Sequence, residues 1–247
     1  MARTLIGIDI GGSGIKGAPV EVVSGEPSPR TKIPTPDPAT PQACADVVRQ
    51  IVEKIDLPGP VGVTVPGIVD HGVIKSAANI DDSWLGTHAA SLFSEAIDRP
   101  VLVINDADAA GIAEMRVGAG VGRLGTVAIL TLGTGIGSAV FVDGHLMTNT
   151  ELGHIEFHGS DSEHYISGKM KNDLPWPVWA GRVSELISHL DFVLGLDLVI
   201  LGGGVSKSWD TWSPLLDVPV EVVPAELRNY AGIVGAAMAT ADSFPGS

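Results

Sequence analysis

Apolar residues along this chain come in short runs that stop at glycine, proline or a small polar pair, which is the punctuation of an α/β protein. Residues 4–10 and 14–20 alternate apolar and small side chains about Gly11-Gly12-Ser13-Gly14. They predict a hairpin whose turn uses backbone angles that glycine tolerates most easily. The same signature returns at 125–132 and 137–142 around Gly133-Thr134-Gly135, an echo that suggests duplication of one α/β unit. Between the hairpins, Pro27, Pro29, Pro34, Pro36, Pro38 and Pro41 predict a loop. Ala45, Val48, Ile51, Val52 and Ile55 recur at helical spacing over 40–55, and 61–65 is a strand ended by Pro66-Gly67. An amphipathic helix over 84–98, a strand at 101–105 and a helix at 106–117 follow. The rest reads as a polar loop at 156–175, a helix at about 178–194, a strand at 197–201 closed by Gly202-Gly203-Gly204, and a C-terminal helix from about 231 to 241.

A chain of 247 residues can bury one large core or two ordinary ones, and the repeated hairpin favours two lobes sharing a cleft. The expected lobes are 1–105 with about 231–247, and 106–230. With 45% hydrophobic and 18% charged residues the sequence excludes a disordered chain. It contains no apolar span of about 18 residues, so a membrane helix is not expected. The start, Met1-Ala-Arg3-Thr-Leu-Ile-Gly-Ile-Asp9, does not resemble a secretory signal. Cys44 is the single cysteine, which rules out an internal disulfide or a cysteine metal cluster and fits a reducing cytoplasm. A net charge of −14 argues against nucleic acid as a partner. It also means that any anionic substrate must be met by a local group of cations or backbone N–H groups.

The candidate chemistry sits where apolar runs end. Val101-Leu-Val-Ile-Asn105-Asp106 delivers a polar pair at a strand terminus, the place where α/β proteins do chemistry. Asp106 is a candidate general base and Asn105 a ligand for neighbouring hydroxyls; the alternative is a helix cap, and Asp108 reads as a first-turn residue facing the helix dipole. Asp9, Gly11, Gly12, Ser13, Gly14 and Lys16 form a loop that can expose N–H groups and one positive charge to phosphate. A carboxylate at Asp9 would repel that phosphate unless a cation such as Mg²⁺, held through water, lay between them. The pattern fits neither the P-loop nor the Rossmann fingerprint. Gly133, Thr134 and Gly135 offer a second phosphate turn, and Gly202, Gly203 and Gly204 with Lys207 a third, bare enough for a nucleotide or a phosphate chain. Glu151 and His154 can converge on a small polar ligand. With Glu156, His158, Asp161, Glu163 and His164 after them, a metal is conceivable, but the spacing matches no familiar zinc site and sugar hydroxyls suit the mixed donors better. Lys16, Lys169, Lys171, Lys207 and Arg228 are candidates for a cationic track, while Trp176 and Trp179 read as packing residues.

Taken together, Asp9-Ile-Gly-Gly-Ser-Gly-Ile-Lys16, Asn105-Asp106, Thr131-Leu-Gly-Thr-Gly-Ile-Gly137, Glu151-Leu-Gly-His154 and Leu201-Gly-Gly-Gly-Val-Ser206 resemble the ROK group of sugar kinases. The resemblance covers nearly the whole chain. It implies an α/β, two-lobed actin/hexokinase-like (ribonuclease H-like) ATPase fold with a central cleft, Asp106 as catalytic base, and Asn105, Glu151 and His154 as sugar contacts. It adds Asn79 and Glu163 as further sugar contacts, and a homodimer. The cysteine-rich zinc motif that follows Glu-x-Gly-His in many members is missing, so no structural zinc is expected. Asn149-Thr-Glu-Leu-Gly-His154 and Leu227-Arg-Asn-Tyr-Ala-Gly-Ile-Val-Gly-Ala-Ala237 resemble the zinc-free branch that uses inorganic polyphosphate. The implied reaction is Mg²⁺-dependent transfer from polyphosphate, with ATP as a further donor, to the 6-hydroxyl of glucose, lobe closure excluding water. The alternatives are a strictly ATP-dependent glucokinase and a non-catalytic sugar-sensing protein. A repressor of this group would need a DNA-binding segment ahead of Asp9, and none is expected.

Overall fold

The first hairpin forms strands β1 (Thr4–Gly11) and β2 (Gly14–Glu21), paired in register from Thr4↔Glu21 to Gly11↔Gly14. The computed structural model describes residues 3–77 and 80–246; Asn79, one of the expected sugar contacts, lies outside them. Thr31–Ile33 adds strand β3 to β2 inside the stretch expected to be a loop. The prolines explain why: Pro29 and Pro34 lie outside the strand, and the four residues between them, Arg30 to Ile33, keep their N–H groups for pairing. Helix α1 (Pro41–Ile55) starts on Thr40, whose side chain accepts from the Ala43 N–H, and buries Ala45, Val48, Ile51 and Val52 as its spacing required. Strand β4 (Val61–Val65) is buried at every residue, and a small ribbon of β5 (Val69–Asp70) and β6 (Val73–Ile74) follows. Helix α2 covers only Ala89–Ile97, because Asp82–Trp84 is a 3-10 turn and the cap that starts the helix is the His88 ring, which accepts from Ser91 N–H. Strand β7 (Val101–Asn105) then runs straight into helix α3 (Asp106–Val117). The five strands lie in the order β3-β2-β1-β4-β7, with β1, β4 and β7 parallel.

The C-terminal helix, Ala231–Ser243, returns to cover β1, β4 and β7 and is buried along nearly its whole length by small residues. Its approach is closer than side chains allow. A Cβ on Gly7 of β1 would overlap the Ile233 carbonyl, and one on Gly235 would overlap the Ala109 carbonyl of α3. Backbone therefore lies on backbone at both crossings, and α3, which begins at Asp106, is seated through Gly235.

The chain divides into two compact units, Met1–Ala113 with Asn229–Ser247, and Glu114–Arg228. The first boundary falls inside α3, so Asp106 belongs to the N-terminal unit, whereas the sequence placed the change at 105/106. The second unit repeats the plan of the first. Strands β8 (Thr126–Leu132), β9 (Ile136–Val142) and β10 (His145–Met147) are antiparallel neighbours. The expected polar loop at 156–175 holds the ribbon β11 (Glu156–Phe157) and β12 (Ser160–Asp161), and the one-turn helix α4 (Ser162–Ile166). These pieces are too short to show a period in the sequence. Helix α5 (Trp176–Leu194), β13 (Leu198–Gly202) and β14 (Glu221–Pro224) complete a sheet ordered β10-β9-β8-β13-β14, the same sequence of antiparallel and parallel neighbours as in the first unit. Trp179 and Trp212 are fully buried here, edge to face at 5.1 Å, and donate to the Ile166 and Val205 carbonyls at 2.9 and 3.0 Å. Among the described residues, no helix is long and apolar enough to cross a membrane.

Glu114, 1% exposed, accepts Leu227 N–H at 2.8 Å on Oε1, and Ala119 and Glu226 N–H at 3.0 and 3.1 Å on Oε2. One carboxylate thus ties the end of α3 to the loop that leads out of the second unit. Glu114→Gln replaces an accepting oxygen with a donor and leaves at least one buried N–H unmatched, so it should cost about 1–3 kcal/mol in urea unfolding. Gly235→Ala forces the two helix backbones apart and should cost about 1–3 kcal/mol, lowering the melting temperature by several degrees. A melting temperature equal to the parent's would show that this contact has room to relax.

Candidate functional site

In the N-terminal unit the register of three strands assembles the first group. Asp9 on β1 lies directly opposite Lys16 on β2 and Thr64 on β4, and directly paired residues point to the same face of a sheet. Lys16 Nζ is 3.1 Å from Asp9 Oδ2, with both side chains 21% exposed, and Thr64 Oγ1 donates to Asp9 Oδ1 at 3.1 Å. Lys16 is therefore the partner of Asp9 and not the isolated point charge that the sequence suggested. Gly232, in the first turn of the C-terminal helix, brings that helix's N-terminus to the same carboxylate: a Cβ there would stand 3.3 Å from Asp9 Oδ1. The positive end of the helix dipole thus faces the Asp9 carboxylate.

The turn itself departs from expectation. Gly11, Gly12 and Gly14 are not among the residues with left-handed φ, so conformational freedom is not what the glycines supply. Gly14 supplies a close approach, since a Cβ there would run into Lys32 Cε and stand 3.3 Å from the Ile33 carbonyl oxygen, and Gly12 supplies openness. Nothing lies within 4 Å of where a Gly12 Cβ would be, and the turn borders a hollow of about 560 Å³ together with Thr35, Asp37, Pro66 and Asp81. Thr35 Oγ1 donates to the Gly11 carbonyl and holds the proline-rich loop to the turn.

At the end of β7, Asn105 does what a helix cap does. Its Oδ1 accepts from Ala107 and Asp108 N–H at 2.8 and 3.0 Å, and its Nδ2 donates to the Gly67 carbonyl at 3.0 Å. A primary amide has two N–H bonds, so Asn105 retains donor capacity for a ligand hydroxyl alongside this structural role. Asp106 is the first residue of α3, half-buried, with Oδ1 accepting from Ala107 N–H at 2.9 Å. The helix cap is thus Asn105, and Asp106 is the candidate base beside it. Asp108 is buried in the first helical turn, as read from the sequence.

In the second unit, the β8–β9 turn is closed by Gly133 N–H donating to Gly135 O at 3.0 Å, and Lys169 N–H bonds Gly133 O at 3.1 Å. Around it lies a pocket of about 470 Å³ lined by Gly133, Thr134, Lys169, Lys171, Trp176 and Gly204. Gly203, at φ 86°, has no space for a side chain because a Cβ would run into the backbone of Leu132, which is how the third glycine turn meets the second. Lys171 Nζ stands 4.0 Å over the centre of the Trp176 ring, so Trp176 does more than pack. Lys207 sits on the 3-10 turn Gly204–Ser208 but does not line the pocket, and Arg228 lies at φ 50° at the end of the unit.

The remaining polar group gathers around the 3-10 turn Leu152–His154. His154 Nδ1 is 2.9 Å from Asp161 Oδ2, and its Nε2 is 4.0 Å from Glu151 Oε2. Glu163 accepts from Ile136 N–H at 3.3 Å, which anchors it to the start of β9. The Asp161 hydrogen bond holds the imidazole above its usual pKa against an opposing effect of burial, with Glu163, Glu151 and Asp161 adding charge attraction. Burial raises the Glu151 pKa; the nearby His154 lowers it and Glu163 raises it further. Among the described residues no group of three or more His, Cys, Asp or Glu side chains is placed to hold a metal ion. Thr64, Asp161 and the Lys171–Trp176 pair were not singled out as a working set by sequence reasoning. Sequence reasoning picks out Asp161, Lys171 and Trp176 one by one but not in these pairings, and it passes over Thr64, the polar residue in an otherwise apolar strand.

Comparison with known proteins covers the same motifs. Residues 5–170 match the ROK family. Polyphosphate glucokinase from Mycobacterium tuberculosis is 48% identical over 238 residues, which cover 95% of this chain and 90% of that protein. The crystal structure of inorganic polyphosphate/ATP-glucomannokinase from Arthrobacter sp. strain KM superposes with a TM-score of 0.93 at 47% identity, over 98% of this chain and 99% of that one. A ROK family glucokinase from Streptomyces griseus, in complex with glucose and AMPPNP, superposes with a TM-score of 0.79 at 25% identity, over 95% and 98% of the two chains. The actin/hexokinase-like α/β fold expected from the motifs is therefore the fold of this chain. In its glycine turns, its Asn-Asp strand end and its sequence over almost the full length, the chain belongs to the ROK family.

Proposed function

We propose that this protein phosphorylates glucose at the 6-hydroxyl, with inorganic polyphosphate as the principal phosphoryl donor and ATP as a second one. The observation that carries the donor assignment is the pocket at the second phosphate turn, where Lys169 and Lys171 join Gly133, Thr134 and Gly204. In a chain of net charge −14, this is a local cationic site with backbone N–H groups beside it. Its aromatic floor, Trp176, is covered by the Lys171 ammonium. A purine must displace that cation to stack, whereas a phosphate chain is attracted by it. The names of the relatives from Mycobacterium tuberculosis and Arthrobacter point to the same donors.

In the reaction, Asp106 accepts the proton of the glucose 6-hydroxyl as the new O–P bond forms and the bridging P–O bond of the donor breaks, with the shortened chain or ADP leaving with the bridging oxygen. Asn105, Glu151, His154 and Glu163, with Asn79 by resemblance, hold the other hydroxyls. Backbone N–H groups at Gly12, Thr134 and Gly135 face charge on the transferred group, while the Gly133 N–H closes the turn on the Gly135 carbonyl. Both Asp9 oxygens already have protein partners, Lys16 and Thr64, but each carboxylate oxygen can accept more than one bond. That donor set suits Mg²⁺ held through its water shell and not by direct coordination. Bound there, the ion would neutralise charge on the transferred phosphoryl group. The family resemblance supports a homodimer working in the cytoplasm.

Purified protein given glucose, Mg²⁺ and either donor should form glucose 6-phosphate from both. Product from ATP alone would make it a conventional glucokinase, and product from neither would remove the kinase reading. Asp106→Ala should lower kcat by about 10²–10⁴-fold with glucose binding by calorimetry nearly unchanged. Near-normal turnover in that variant would take Asp106 out of the mechanism. Reversing the charge with Lys169→Glu and Lys171→Glu should raise the KM for long-chain polyphosphate by about tenfold or more while the KM for ATP moves less. Equal effects on both donors would count against the cationic pocket.

A further inference from the structure

Asp161 has no part in the proposed reaction, yet it is the group nearest to His154. The contact is built, not incidental. Ser162, next in the chain and fully buried, donates its hydroxyl to the carbonyls of Leu152 and Gly153 at 2.9 Å each, and its N–H to Ile155 O at 3.0 Å. These bonds lock the start of α4 to the 3-10 turn that carries His154. On the other side a Cβ at Gly153 would overlap the Ile136 carbonyl, so the turn is pressed against β9. Asp161 and His154 are thereby fixed on two backbones that are themselves fixed together.

We propose that Asp161 is a positioning residue for the acceptor sugar. It accepts the Nδ1 proton of His154, fixes the plane of the ring, and leaves Nε2 directed to the side of Glu151 as the hydroxyl contact. This rests on the reading of His154 as a sugar ligand. The assignment follows from a property of imidazole: a ring whose Nδ1–H is engaged by a carboxylate must present Nε2 outward, as an acceptor when neutral and as a donor when protonated. A metal at Nδ1 would have to displace Asp161 first. The charged groups facing the ring are Asp161 from β12, Glu151 beside the turn and Glu163 from α4. Strand β9 brings none, and His164 of α4 is turned to Ser160 Oγ at 3.2 Å. Since the folded pKa of His154 is raised, the stability that the imidazolium gains from Asp161 is fully present below the ordinary imidazole pKa of about 6.5. That contribution is lost as pH rises through the folded pKa.

The test uses Asp161→Asn, which can still accept from Nδ1 but carries no charge, and Asp161→Ala, which can do neither. Two readouts separate the inference from the reading beneath it. The first is the NMR titration of the His154 ring in the full-length protein without substrate, which needs no turnover. Asp161→Asn should move it to lower pH, and an unchanged titration overturns the proposal. The second is steady-state kinetics. Asp161→Ala should raise the KM for glucose by about tenfold, the scale of one charge-assisted hydrogen bond, while the KM for polyphosphate stays at the parent value. Asp161→Asn should recover most of that loss. A shifted titration with an unchanged glucose KM would keep the Asp161–His154 pair but remove His154 from the sugar site, overturning the positioning role. Equal losses in both KM values with a lowered melting temperature would reduce Asp161 to a structural residue and overturn it as well.

Discussion

The contact on which the N-terminal unit depends is one of backbone against backbone. Where the C-terminal helix crosses α3 and β1, Gly235 and Gly7 remove the only atoms that would hold the chains apart. Ridge-into-groove packing of ordinary side chains sets helix axes well apart, and a glycine at the crossing is what shortens that distance. Two site groups inherit their places from this approach. The N-terminus of the C-terminal helix arrives at Asp9 through Gly232, and α3 is seated so that Asp106 stands at the end of β7. Asp9, in the first hairpin, and α3, which begins at Asp106 at the end of β7, are therefore both approached by glycines of the C-terminal helix, Gly232 and Gly235, far from either in sequence.

Electrostatics in this chain is managed residue by residue. A net charge of −14 would keep a polyanion away if it were spread evenly. Asp9 is instead matched by Lys16, Thr64 and a helix terminus, so the carboxylate nearest the first phosphate turn is largely neutralised within its own sheet. In the second unit Lys171 is held over the Trp176 ring, with no carboxylate paired to it among the described residues. The same molecule thus pairs its charge at Asp9 and leaves it on an aromatic face at Lys171, the arrangement that the proposed phosphate pocket requires.

What could be read from the sequence follows from which signals are local. The hairpins, α1, β7 and α3 have periods of two or 3.6 over enough residues to be counted, and their bounds fall within a residue or two of those expected. Helix α2 was placed too early because its start depends on one capping ring, His88, and not on hydrophobic period. Strand β3 and the pieces at 156–166 were invisible for a related reason: three residues cannot show a period, and their order comes from bonds to distant partners such as Ser162 to Leu152. The candidate residues were legible as types, since Asn-Asp at a strand end and Glu-x-Gly-His are conspicuous. Their pairings were not. Nothing in the order of residues says that Lys16 neutralises Asp9, that Asn105 spends its oxygen on the helix cap, or that Asp161 holds His154.

The return of the C-terminal helix to the first sheet has a consequence for how the protein is made. Residues 231–243 are synthesised after the whole second unit, yet they cover the face of β1, β4 and β7, which is synthesised before it. During the time needed to translate the second unit, on the order of ten seconds, that face waits without its partner. The second unit, continuous from Glu114 to Arg228, has every strand of its own sheet as soon as it emerges. The order in which the sheets can be completed is thus inverted with respect to the order of synthesis: the later-made unit holds all its strands before the earlier one receives its covering helix.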